Sequence, residues 1–170
     1  NEQISDQALD AIAAKFEDSI DAGKINNQYS LKDLRTVQTT TQSLRTYYLT
    51  VQKKLNGYNS DVADIDVIVS TLETGDTSRL PELSKTAILY RAIAKKLSAL
   101  PVPVGVSPYH LALINGLTGV ADSFSLLQEV NDNAGVALIG IAVYKNYNTK
   151  LANALTDMED YLTKYGILTP

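Results

Sequence analysis

The stretch Ala99-Leu-Pro-Val-Pro-Val-Gly-Val-Ser-Pro-Tyr-His-Leu111 holds three of the chain's five prolines and its only histidine, His110. Prolines at 101 and 103 push Leu100 and Val102 toward extended geometry, so a helix arriving from the N-terminal side must stop. Gly105 allows a turn. Ser107-Pro108 then reads as an N-cap followed by a first-turn proline, which launches a new helix. Helical patterning stops before this stretch and resumes after it, and the fold class that follows is all-α.

Working back from the break, residues 81–98 carry Leu83, Ala87, Ile88, Tyr90, Ile93, Ala94 and Leu97 as an inward set, with Pro81 at the first turn. Residues 60–74 repeat the pattern and end at Gly75. Before them, Leu34, Val37, Thr41, Leu44, Tyr48, Val51 and Leu55 alternate at spacings of three and four. That heptad seam, opened by Ser30 with Asp33 as a capping box, predicts one helix over 31–56. About 26 helical residues give a rod of about 39 Å. Residues 4–22 predict a further helix, through Ile4, Leu9, Ile12, Phe16 and Ile20.

Beyond the break, a helix over 108–130 places His110, Leu113, Ile114, Leu117, Val120, Ala121, Phe124, Leu127 and Val130 inward. The last helix, 133–165, has one face reading Ala137, Gly140, Tyr144, Tyr147, Leu151, Ala154, Met158, Tyr161 and Tyr165. The expectation is one domain over 1–170. It is an elongated up-and-down bundle of about six helices, with the long second and last helices paired and residues 99–107 as a connector.

Composition narrows the function classes. Hydrophobic residues make up 45% and charged residues 20%, which is ordinary for a packed domain. The net charge of -4 argues against bulk attraction to nucleic acid or anionic lipid. Charge alternates along the chain: residues 1–23 and 60–76 each sum to -5, and residues 28–58 and 79–96 each to +4. The longest apolar run in a helical context, 134–144, is too short to span a membrane. The absence of cysteine excludes disulfides and thiolate sites. With the Asn, Gln, Ser and Thr content and a first residue that is not Met, it favours an extracytoplasmic protein whose signal or anchor preceded Asn1; a cytoplasmic location is the alternative.

No constellation of residues points to catalysis. His110 lies in line with Leu113, Ile114 and Leu117, as a core histidine would, and a single histidine excludes the paired-histidine metal motifs. Asp61, Asp64 and Asp66 fall in the opening turns of a helix, where the dipole favours acids, and lack EF-hand spacing. Asp157, Glu159 and Asp160, and the pairs Lys53-Lys54 and Lys95-Lys96, read as solvated helix faces. No metal or cofactor is expected.

The unusual feature is tyrosine, ten residues against two Phe and no Trp. Tyrosine buries a ring while keeping a hydroxyl wet and is enriched in protein interfaces. Tyr47, Tyr48, Tyr144, Tyr147, Tyr161 and Tyr165 are therefore the candidate partner-binding residues of a non-enzymatic interaction or structural domain, with a protein partner or a second copy. The competing reading is a small-ligand pocket under the Pro101–Pro108 connector, lined by Tyr109, His110 and Phe124.

Overall fold

A computed structural model describes residues 27–56, 64–131 and 134–168. The helix expected over 4–22, Asp61 and the break at Asp132-Asn133 lie outside the described residues. Those described are mostly helical, with two short strands. In chain order the elements are β1 (Arg35–Val37), α1 (Thr41–Leu55), α2 (Asp64–Thr74), α3 (Leu80–Ser98), β2 (Pro101–Pro103), α4 (Ser107–Leu127) and α5 (Ala134–Lys164). Short 3-10 turns at Leu31–Asp33, Val104–Val106 and Gln128–Asn131 join them.

The helix expected over 31–56 is the main correction. The Ser30 amide does donate to Asp33, at 2.7 Å, but it caps only a single 3-10 turn. Arg35–Val37 is a strand paired in parallel with the connector, Thr36 opposite Val102. The residues from Thr36 to Thr41 include Val37 and four threonines, whose branched Cβ disfavours helix and suits a pleated chain. The helix begins only at Thr40, whose hydroxyl accepts from the Ser43 amide at 3.0 Å while the Ser43 hydroxyl accepts from the Thr40 amide at 2.9 Å. The resulting helix has 15 residues. The connector is therefore a structural element, not a spacer. Val102, between two prolines that lack N–H groups, is the one residue of β2 able to donate to the ladder.

The break and restart around residues 99–107 otherwise stand where the prolines put them. Ser107 is the first residue of α4 instead of its cap, and its hydroxyl donates back to the Val104 carbonyl at 2.8 Å. Gly75 and Gly166 end their helices with φ of +71° and +66°.

α4 is the centre of the molecule. Every residue from Leu113 to Ala121 is buried, and α3 and α5 both pack along it. The long last helix pairs with α4 in a tight antiparallel hairpin, not with α1 along its length as the two matching seams suggested. Two glycines permit that approach: a Cβ at Gly116 would sit 3.0 Å from the Leu151 Cβ, and one at Gly119 would run into the Tyr147 ring. On the other flank, Arg91 of α3 reaches the Asp122 carboxylate at 2.8 Å and the Ala121 carbonyl at 3.2 Å. Ile88, expected inward, is 68% exposed, because α3 turns Leu83, Ala87, Ile93, Ala94 and Leu97 to the core instead.

Gly119→Ala forces the α4–α5 seam apart and is expected to cost ~1–3 kcal/mol of stability, as overpacking of a core does. Urea unfolding measures this; an unchanged midpoint contradicts the close approach.

Candidate functional site

The candidate residues fall into three places. His110 sits in the first turn of α4, which the Ser107-Pro108 start aims into the core, and it is fully buried. Its Nδ1 lies 2.8 Å from the Tyr47 hydroxyl of α1, and that hydroxyl lies 3.6 Å from the Met158 sulfur of α5. An imidazole nitrogen is a far better acceptor than a thioether, so the Tyr47 hydroxyl donates to Nδ1 and the neutral ring carries its one proton on Nε2. Nε2 makes no hydrogen bond among the described residues, and the Leu97 backbone carbonyl of α3 lies against the ring. Burial pulls the imidazole down to about 4, against the smaller opposing effect of that carbonyl. Burial also pushes the Tyr47 hydroxyl well above its ordinary range. This is a neutral pin joining α1, α3, α4 and α5, and it offers no proton to solvent at neutral pH.

Phe124 belongs to a second buried cluster, stacked on Tyr144 at 5.6 Å and near Tyr90 at 6.3 Å. The ligand-pocket set of Tyr109, His110 and Phe124 is thus divided between two cores and the surface. Tyr47 and Tyr147 are 3% and 5% exposed, so both rings face the interior. Tyr48 and Tyr144 are half-buried; the Tyr48 hydroxyl meets the Gln52 amide of its own helix.

The third place is the end of α5. Tyr161 and Tyr165, one turn apart, stack at 4.7 Å, and Tyr109 of α4 packs on Tyr161 at 5.7 Å. Gly105 of the connector touches the Tyr161 hydroxyl region so closely that a Cβ there would collide with it. Thr39 fixes the connector by accepting from the Gly105 amide at 2.8 Å. Partial burial, with the Tyr165 hydroxyl beside it, pushes Tyr161 up to about 12. Its outer ring, Tyr165, is 47% exposed, and Val104, which precedes Gly105 in the chain, is 57% exposed.

A cavity of about 390 Å³ lies over the α4–α5 seam. Leu111, Ala112, Gly116 and Ala154 form its floor, and Lys150, Asn153 and Asp157 its polar rim. Asn27 and Asn115 also line it. The Asn115 side chain grips the Tyr29 backbone on both sides, accepting from its amide at 2.9 Å and donating to its carbonyl at 3.0 Å. Sequence reasoning missed Asn115, since its partner lies 86 positions away. The spacing Pro108, Leu111, Ala112, Asn115, Gly116 along one helical face was the available signal.

No family model matches the chain, and no curated protein or solved structure matches it. Among the described residues no three His, Asp or Glu side chains gather as a metal site would require, and no helix is long and apolar enough to cross a membrane.

The His110 pin makes stability pH-dependent. The folded value of about 4 lies below the ordinary 6.5, so the unfolded chain binds the proton more readily between those values. The stabilisation is complete above pH ~6.5 and is lost as pH falls toward ~4, by up to about 3 kcal/mol. Chemical denaturation across that window should show the slope, and His110→Gln should remove it. Tyr47→Phe leaves Nδ1 buried without a donor and should cost ~1–3 kcal/mol in the same assay.

Proposed function

We infer that the protein is a non-enzymatic helical interaction domain that holds a protein partner through the Tyr109–Tyr161–Tyr165 stack and the connector beside it. The observation carrying this reading is the stack itself. Three tyrosines, Tyr109 of α4, Tyr161 of α5 and Tyr165 just past its end, are packed together at one end of the hairpin, with Tyr165 and Val104 left open to solvent. Aromatic rings held rigid before binding lose little conformational freedom on association, which is why tyrosine dominates interface hot spots. Of the six tyrosines singled out by the sequence, Tyr161 and Tyr165 serve this reading. Tyr109 joins them, and Tyr47 and Tyr147 serve the core. The sole imidazole is committed to the core as well, which favours binding over catalysis. The partner is another protein or a second copy, and the cysteine-free composition favours an extracytoplasmic setting.

A small-ligand role is the second reading, supported by the α4–α5 cavity. An apolar floor with a few polar groups at its rim is the usual form of such a site.

A photo-crosslinking residue at position 165 should yield one dominant adduct in the native source, or a dimer of the pure protein. Tyr161→Ala should weaken that association by ~2 kcal/mol or more, about thirtyfold. A monomer with no adduct contradicts the reading. Native mass spectrometry showing a retained small molecule, lost on Ala154→Trp, would favour the cavity instead.

A further inference from the structure

Two asparagines of the chain, Asn56 and Asn115, are followed by a glycine. The backbone nitrogen after an asparagine can attack its side chain at Cγ, and glycine, which has no Cβ, hinders that approach least. The reacting atoms meet by rotation about the asparagine ψ, and water must then reach the product. The glycine is common to both positions, so the fold is what separates them.

Asn115 is closed on both counts. It lies in the middle of α4 and is 6% exposed. Its side-chain amide, which would have to depart, is fixed by the Tyr29 backbone, accepting at 2.9 Å and donating at 3.0 Å. Rotation about its ψ would break α4 at its centre and pull Gly116 off the Leu151 side chain on which it packs. Asn56 is open on both. It is the C-cap of α1 and is exposed. Its amide donates to the Gln52 carbonyl at 2.8 Å, a bond on the N-terminal side of ψ that survives when ψ turns. The Asn56 backbone is still helical, with ψ of -15°, so a turn is needed, but no residue of α1 follows to resist it.

We propose that Asn56 is a site of spontaneous modification by water, deamidating to aspartate and isoaspartate in the folded protein, while the Tyr29 clamp and the burial of α4 protect Asn115. In the first step the Gly57 nitrogen gives its proton to hydroxide or water and bonds to the Asn56 Cγ, and the side-chain nitrogen leaves as ammonia. The result is a five-membered cyclic imide. Water then opens it. Attack at Cγ breaks the new bond and leaves aspartate; attack at the main-chain carbonyl carbon breaks the original peptide bond and leaves isoaspartate, with the chain running through Cγ. The net change is amide and water to acid and ammonia, with no oxidant or reductant. The new carboxylate stands at the C-terminal end of a helix, where the dipole disfavours it, one turn from Lys53, which offsets it. The 15 residues of α1 put it about 22 Å from the start of that helix, the end beside the connector, so the tyrosine stack is left unchanged.

Peptide mapping by mass spectrometry of the full chain, aged in mildly alkaline buffer, tests it. In the folded protein position 56 should convert at least tenfold faster than position 115. In guanidinium chloride at the same pH, where the fold is gone, the two rates should come within a few-fold of each other. The aged protein should also accept methyl groups from S-adenosylmethionine through an isoaspartyl methyltransferase, and Asn56→Gln, checked by circular dichroism to be folded, should abolish that labelling. Equal conversion at the two positions in the folded protein, conversion at 115 first, or no conversion at either overturns the proposal. A rate ratio that persists in guanidinium chloride overturns it as well, since neighbouring sequence and not the fold would then set the difference.

Discussion

A helix buried on every side imposes its needs on whatever surrounds it. α4 is such a helix: from Leu113 to Ala121 no residue reaches solvent appreciably. A wholly buried helix gains nothing from an amphipathic face and everything from close neighbours, so small residues stand where those neighbours approach. Gly116 and Gly119 admit α5, and Thr118 and Ser123 satisfy their own hydroxyls on the helix backbone, at 3.1 and 2.6 Å. Asn115 cannot do that and is met by the Tyr29 backbone instead. His110 is the same problem at the first turn. Its nitrogen is brought into an apolar core and must be met there, and Tyr47 meets it. That one hydrogen bond ties the short α1, which packs mainly on α3 and β2, to the central helix.

The chemistry the sequence offers is therefore distributed by depth. The residues most suited to proton transfer, His110 and its tyrosine, are interior, neutral and held. The residues suited to recognition lie outside. The tyrosine stack closes one end of the hairpin, and a cavity with charged rim residues lies over the α4–α5 seam.

The proline break was legible because proline acts through its own backbone, without help from the rest of the chain. The α5 seam was legible too: Ala137, Gly140, Tyr147, Ala154 and Met158 are all buried, Tyr144, Leu151 and Tyr161 are half-buried, and only Tyr165 is exposed. The failure at residues 31–40 has a physical cause. Leu34 and Val37 fall on the helical spacing of the residues after them, but Leu34 is buried from an irregular segment and Val37 half-buried from a strand. What decides that segment is β2, 66 positions further on, and no local pattern reports a partner at that distance. Ile88 was misplaced for a related reason. Apolar spacing marks a face, and only the neighbours that arrive determine which edge of that face is covered. The tyrosines were singled out as a type, but their division between core and surface follows from the approach of α4 to α5.

The central claim is that the sole histidine is a structural pin of the core. Because the chain has one histidine, its imidazole nitrogen resonances can be read without assignment. The account predicts a neutral ring with an unprotonated, hydrogen-bonded Nδ1, unchanged in the folded protein from pH ~7.5 down to ~5. A ring that titrates near the ordinary value of about 6.5 would show a solvent-accessible, chemically available imidazole and would contradict it.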